Sequence, residues 1–102
     1  MKYTLNPDAT SVNPLVFTFY NDSGHGWVAV WKELLRELGI EDKISQYSYM
    51  RGKTAYLEED CDAALFFNAL ERMGVHYKIE NKHCDKLSPI RSYERYSHEL
   101  EA

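Results

Sequence analysis

Cysteine is scarce in this 102-residue sequence, which contains only Cys61 and Cys84. Two cysteines cannot form the disulfide framework that stabilises many small secreted domains. The first residues also lack the apolar run of about 7–15 residues that a secretory signal requires. We therefore expect a cytoplasmic protein with free thiols.

Long apolar runs and an excess of positive charge are also missing. No run approaches the roughly 18 apolar residues that a membrane-spanning helix needs, so we expect no membrane insertion. Lysine and arginine total 12 against 16 acidic residues, which gives a net charge of −4. General nucleic-acid binding needs a basic face that displaces phosphate counterions, so the composition argues against that class.

Tyrosine, by contrast, is abundant, with 8 residues in the chain. Its ring is apolar and its hydroxyl is polar, which suits half-exposed surfaces and protein interfaces. The chain is long enough for one domain. A second copy of the chain would cover the aromatic surface and the edge strands of such a domain, so we also expect a homodimer.

The periodicity of apolar residues predicts seven elements. Alternating or β-branched segments indicate strands, and apolar residues spaced three and four apart indicate helices. Asp60 is the predicted N-cap of the second helix. In chain order the predicted elements are strands over 15–20 and 27–30, a helix over 31–38, strands over 47–50 and 53–57, a helix over 61–73 and a strand over 75–80.

This order, β-β-α-β-β-α-β, predicts a small α+β domain with a mostly antiparallel sheet and two helices on one face. Residues 1–14 are predicted to be a loosely structured lead-in, residues 15–96 the domain and residues 97–102 a tail. The segment from Glu94 to Ala102 is expected to be a frayed helix or a tail.

The stretch from Tyr47 to Asp62 holds more hydrogen-bonding and charged side chains than a connection between two elements needs. Tyrosines combined with arginines are typical of protein interfaces, and they also stack bases or hold phosphates in ligand pockets. Alternatively, the rings cover the core and the arginines pair with Glu58 and Asp60. The candidate binding residues are Tyr47, Tyr49, Arg51, Tyr56, Glu58, Glu59, Asp60, Arg91 and Tyr93.

The acidic run from Glu58 to Asp62 has two interpretations. Its carboxylates, with Lys53 nearby, suit Mg²⁺ binding or a two-carboxylate acid–base site. The favoured interpretation is helix capping plus a solvated acidic edge, or salt bridges to Arg51 and Arg91.

The turn that contains Gly24, His25 and Trp27 is a second candidate region. Asp22 and His25 suit an acid–base pair or metal ligands, or else Asp22 bonds its own backbone while His25 packs on Trp27. Asp22, His25 and Glu58 are the weak candidates for catalysis, and we lean towards a protein that is not an enzyme.

Cysteine and histidine chemistry has little support in the pattern. The acidic neighbours of Cys61 are expected to raise its thiol pKa, so a small core residue is favoured over a nucleophile there. The histidines and cysteines lack the paired spacings of zinc sites. We predict no metal and no cofactor.

Several motifs occur in a fixed order over roughly residues 16–95. They are Asn21–Trp27, Leu38-Gly39-Ile40 followed by Asp42–Ser45, Tyr47-Ser48-Tyr49 with Arg51-Gly52, Tyr56–Ala63 and Ser88–Tyr93. In this combination the chain resembles a group of small uncharacterised proteins of phages, plasmids and bacteria. The resemblance implies a mobile-element setting and brings no activity with it.

Together these observations predict a phage or mobile-element accessory protein without catalytic activity. It is expected to bind and modulate a host protein, for example a defence component, through its tyrosine, arginine and acidic surface. The alternatives are a protein that binds or sequesters a small anionic molecule such as a nucleotide, and a small hydrolase or metal-dependent enzyme.

Overall fold

The structure, a computed structural model, describes residues 15–98. The predicted lead-in over residues 1–14, and residues 99–102 of the predicted tail, lie outside the described residues. Within the described range the strands are β1 (Leu15–Asn21), β2 (Gly26–Trp31), β3 (Tyr49–Arg51), β4 (Thr54–Glu58), β5 (Tyr77–His83) and β6 (Glu94–Arg95). The α-helices are α1 (Lys32–Glu37) and α2 (Ala63–Arg72), and 3-10 helices span Glu41–Lys43 and Pro89–Ser92.

The strands form one six-stranded sheet in the order β5-β1-β2-β4-β3-β6. β1 and β5 run parallel, and every other neighbouring pair runs antiparallel. The parallel pair requires a long crossover, which α2 provides between β4 and β5. The predicted α+β class with a mostly antiparallel sheet is confirmed.

Alternation along the strands directs one side of the sheet into the core. Val28 of β2 lies opposite Leu57 of β4, and both side chains are fully buried. Leu35 of α1 and Phe66 and Leu70 of α2 belong to the same buried cluster. Both helices therefore cover the same face of the sheet, as predicted.

The longer helix, α2, is held mainly by its aromatic stripe. Phe66 is fully buried and meets the ring of Phe17 edge-to-face, with the centroids 5.1 Å apart. Burying a side chain of this size contributes about 1.5–3 kcal/mol relative to leaving it exposed.

No helix among residues 15–98 is long and apolar enough to cross a membrane.

The predicted start of each helix was wrong. Trp31 ends β2 in register with Thr54, so ladder pairing overrides the helical spacing of its side chain, and α1 begins at Lys32. The N-cap of α2 is Asp62 rather than Asp60. A turn precedes this helix, in which the Asp62 N–H donates to the Glu58 carbonyl.

The C-terminal segment also differs from the prediction. Glu94–Arg95 form β6 against β3 instead of a frayed helix or tail. Tyr96 is buried in the core cluster, donates its N–H to the Ser48 carbonyl and its hydroxyl to the Glu41 carbonyl at 2.6 Å. Burial, reinforced by Glu41, raises the pKa of Tyr96 to about 12. These contacts attach residues 94–96 to the rest of the folded domain.

Candidate functional site

The sheet face opposite the helices carries a concentration of tyrosine and arginine side chains. Tyr49 and Tyr56 point to this face, because their strand neighbours Met50 and Leu57 are buried beneath the helices. We call this surface the open face, and it comprises Tyr20, Trp27, Tyr49, Arg51, Tyr56 and Glu58 from the strands, Arg91 and Tyr93 from the segment that crosses above them, and Arg95 of β6.

Asp22 anchors that crossing segment to the turn between β1 and β2. Its buried carboxylate accepts the N–H groups of Gly24 at 2.9 Å, His25 at 3.0 Å and Ser88 at 2.9 Å. Arg91 donates to both oxygens, from Nε at 2.8 Å and from Nη2 at 2.9 Å. Arg91 first, and then these N–H groups, hold the Asp22 pKa well below its usual range.

The engaged carboxylate favours a structural role for Asp22 over a role as a general base or metal ligand. A fork-shaped arginine pair of this kind fixes orientation as well as charge. A Cβ at Gly24 would lie 2.9 Å from Arg91 Nη2, so the turn needs glycine where the guanidinium passes. His25 is exposed and lies beside the Trp27 ring, with the centroids 6.1 Å apart.

A second buried carboxylate, Asp62, positions the segment that precedes β3. It is 3% exposed and accepts hydrogen bonds from the N–H and hydroxyl of Ser45 and from the hydroxyl of Ser48. Ser48 in turn accepts the N–H of Glu58 at 2.9 Å. This network fixes residues 45–48 against the end of β4 and so places Tyr47 and Tyr49 beside Glu58.

The turn and the tyrosine stretch meet at a cleft of about 400 Å³ on the open face. Seven sequence-predicted residues line this cleft, so the two candidate regions form one site. Cys61 and Arg95 line it as well, although neither was among the predicted site residues. The nine residues that define the cleft are His25, Trp27, Tyr47, Tyr49, Glu58, Asp60, Cys61, Arg91 and Arg95.

The arginines do not form the salt bridges with Glu58 and Asp60 that one interpretation of the sequence required. Arg91 pairs with Asp22, while Arg51 lies over a tyrosine ring. Among the described residues neither Glu58 nor Asp60 takes part in an ion pair. That interpretation was wrong because it could not anticipate the contact between Asp22 and Arg91.

Trp27 is one of the residues that line the cleft. Its side chain is largely enclosed, with an exposed fraction of 2%, and Tyr49 lies against it with the centroids 6.1 Å apart. The guanidinium of Arg91 lies 5.6 Å from the centre of the Trp27 ring. The buried indole Nε1 has no hydrogen-bond partner among the described residues. A buried donor normally has a hydrogen-bond partner, so an acceptor supplied by a ligand would satisfy this N–H group.

Three of the remaining predicted binding residues form a separate group with Tyr20 beside the cleft. We call this group the tyrosine cluster, and it consists of Tyr20, Arg51, Tyr56 and Tyr93. Tyr56 contacts Tyr20 at 6.3 Å and Tyr93 at 5.1 Å between ring centroids, and Arg51 lies 5.0 Å above the Tyr93 ring. Burial raises the pKa of Tyr56, and the neighbouring tyrosines add to this effect. Glu59 is exposed and lines neither group.

Cys61 is exposed at the edge of the cleft, so its interpretation as a core residue was wrong. A hydrogen bond to Glu58, followed by burial and the charges of Glu58, Asp62 and Asp60, raises the pKa of its thiol, as expected. The thiolate is therefore disfavoured at neutral pH. Within residues 15–98 no group of three or more histidine, cysteine or acidic side chains is arranged to hold a metal ion.

Two contributors to the open face were missed at the sequence level. Tyr20 carried a usable signal, because it alternates with the inward-facing Phe17 and Phe19 along β1. Arg95 carried none, because β6 has two residues and shows no periodicity.

Comparison of the chain with models of known protein families, with curated proteins and with solved structures found no match.

Proposed function

We propose that the protein is a non-enzymatic binding module whose open face docks on a partner protein. The observation that carries this proposal is a set of arginine side chains held over aromatic rings on that face. Within the described residues the stacks are Arg51 over Tyr93 at 5.0 Å, Arg91 over Trp27 at 5.6 Å and Arg95 over Tyr49 at 4.8 Å, each measured to the ring centroid.

Such stacks are suited to protein recognition. Arginine and tyrosine are enriched among the residues that dominate binding energy at interfaces. A guanidinium already held on a ring loses less rotational freedom when a partner docks, so more of the contact energy remains as affinity. Arg51 and Arg95 are exposed, and the rings beneath them are half-buried.

The catalytic candidates have less support. The Asp22 carboxylate is engaged by Arg91 and by backbone N–H groups, which leaves it poorly placed to accept a proton from a substrate. The Cys61 thiol has a raised pKa. General acid–base chemistry needs groups free to reach the reacting atoms. Of Asp22, His25 and Glu58 only His25 is exposed, because Glu58 is largely buried and its carboxylate accepts the N–H of Asp60.

The proposed setting is that of a phage or plasmid accessory protein acting in the cytoplasm on a host protein, such as a defence component. The resemblance of its motifs to those of small mobile-element proteins is what supports this setting. The net charge of −4 favours a protein partner over nucleic acid.

Replacing Tyr49 and Arg51 together by alanine tests the docking proposal. The double variant should fail to capture the partner that the tagged wild-type protein captures from host lysate, while its circular dichroism spectrum stays unchanged. Arg72→Ala removes an exposed arginine from α2, on the other side of the sheet, and should capture normally. Undiminished capture by the double variant would contradict the proposal.

A pocket for a small anionic ligand such as a nucleotide is the second candidate. The cleft supports it, because Tyr47 and Tyr49 offer rings for stacking and Arg95 offers a cation. A thermal shift assay against a nucleotide panel discriminates the two functions, since a ligand at 100 times its Kd adds about 2.7 kcal/mol. No shift across the panel would remove this candidate.

A homodimer also remains a proposal. Among residues 15–98, β5 is an edge strand whose one neighbour is β1, and most of its residues are exposed. Its other edge offers backbone groups that a second copy can pair. Sedimentation velocity over a range of protein concentrations tests this expectation, and a monomer at every concentration would contradict it.

A further inference from the structure

We infer that the cleft binds a basic side chain, arginine or lysine, together with the peptide backbone that presents it. This inference rests on the proposed docking function and names the chemistry of the partner segment. Four observations lead to it, namely the charge in the cleft, an unpaired carboxylate, an unoccupied aromatic ring and an unpaired buried N–H group.

The charge balance of the cleft is negative once internal pairs are removed. Arg91 is neutralised by Asp22, whose carboxylate lies 2.8 Å from its Nε. Arg95 then stands against Glu58 and Asp60, which leaves one net negative charge among the arginine and carboxylate groups of the cleft. The whole chain carries −4, so a basic segment is also favoured over an acidic one at longer range.

Glu58 is the cleft residue that a nearby cation would stabilise most. It is 8% exposed, and its carboxylate accepts hydrogen bonds from the N–H of Asp60, at 3.1 and 3.0 Å, and from the thiol of Cys61. No ion pair reaches it from the described residues. A largely buried carboxylate without a positive partner is costly, and a partner's ammonium or guanidinium would offset that cost.

The aromatic rings that line the cleft already accommodate guanidinium groups. Trp27 and Tyr49 each lie beneath an arginine of the chain itself. Tyr47 is 61% exposed, and no arginine of the described residues lies over its ring. A cation over such a ring gains about 0.5–1 kcal/mol at an exposed site, so an incoming basic side chain can stack on Tyr47 and reach towards Glu58.

The indole N–H of Trp27 favours a peptide over a free amine. This donor belongs to a residue that lines the cleft; the nitrogen itself is buried and lacks an acceptor among the described residues. An amine or guanidinium has no acceptor to offer, whereas the carbonyl of the residue that presents it does. An anionic ligand would also accept this N–H, but it would have to lie beside Glu58 and Asp60.

Peptide titrations followed by ¹H–¹⁵N NMR test the inference on the full-length protein. The probes are acetyl-Gly-Arg-Gly-amide and its lysine, citrulline and glutamate counterparts; citrulline matches the shape of arginine without its charge. The readout is the Trp27 indole resonance. The sequence has two tryptophans, so the Trp31→Phe variant identifies it. We expect a saturable shift with arginine, a smaller one with lysine and none with citrulline or glutamate.

Two matched variants test whether Glu58 supplies the carboxylate that binds the basic side chain. Glu58→Gln keeps an acceptor for Asp60 and removes the charge, and it should weaken arginine-peptide binding by at least about tenfold. Glu59→Gln makes the same change one residue away, outside the cleft, and should change binding less than about twofold. If Glu58→Gln unfolds, Asp60→Asn replaces it, because that side chain is exposed and should also weaken binding.

Several outcomes would overturn the inference. A shift with the glutamate peptide or with inorganic phosphate would make the cleft an anion site. The absence of a shift with every peptide, or arginine binding unaffected by the Glu58 and Asp60 variants, would refute the assignment. Partner capture that depends on Tyr49 and Arg51, without arginine-peptide binding, would overturn this inference alone. Arginine-peptide binding combined with capture that ignores those two residues would overturn the docking proposal instead.

Discussion

At the scale of single residues, Asp22 shows where sequence reasoning stops. Its neighbours Gly24 and His25 suggest either a self-bonded turn or an acid–base pair, and nothing local separates the two. The deciding contact is with Arg91, 69 positions away. The side-chain type and the local N–H bonds were predictable, whereas the arginine that engages the carboxylate depends on the path of the chain after β5.

The contact between Asp22 and Arg91 predicts a specific acid sensitivity. The folded state lowers the Asp22 pKa from its ordinary value of 3.8, so the contact stabilises the fold fully above that pH and is lost as pH falls below it. Asp22→Asn should lower the melting temperature at pH 7, and it should lose less further stability than the wild type between pH 4 and pH 2.

Thermal denaturation followed by circular dichroism at several pH values measures this difference. Asp42→Asn, which changes an exposed carboxylate, should keep the acid sensitivity of the wild type. Parallel losses of stability in the wild type and in Asp22→Asn would refute the role given to the pair.

At the scale of elements, patterns of three or more residues were predictable and boundaries set by tertiary contacts were not. A composition rich in β-branched and aromatic residues identified β1, alternation identified β5, and the apolar stripe identified α2. Trp31 fits a helical stripe as well as a strand, and only its pairing with Thr54 decides between them. β6 is too short to show a pattern, and its pairing with β3 arises from the buried Tyr96 that follows it.

The hairpin of β1 and β2 provides a test of close packing. A Cβ at Gly26 would lie 2.2 Å from Cζ of Phe19, so the ring lies directly over the glycine. Gly26→Ala should lower the free energy of unfolding by about 1–3 kcal/mol, as overpacked sites do. In a Phe19→Leu background the same change should cost less, because the shorter side chain leaves room.

Urea denaturation of the four proteins in this double-mutant cycle gives the coupling directly. Equal costs of Gly26→Ala in both backgrounds would show that the ring does not restrict this position.

At the scale of the whole molecule, the sheet separates two surfaces with different roles. Helices α1 and α2 cover one face and supply the apolar core. The other face carries the cleft and the tyrosine cluster. Most members of the site were predictable as residue types, because tyrosine and arginine concentrate around Tyr47–Tyr56 and Arg91–Tyr93. Their division into two groups was not, because it depends on the turn at Asp22 and on the segment that Arg91 holds.

Site-specific photo-crosslinking tests the docking claim most directly. A benzophenone amino acid is placed at Tyr93, on the open face, and in a second protein at Arg72, on the exposed side of α2. Both proteins are irradiated in host lysate. The account predicts a discrete protein adduct from position 93 and none from position 72. An adduct from position 72 and none from position 93 would contradict it, because the partner would then contact the helical side.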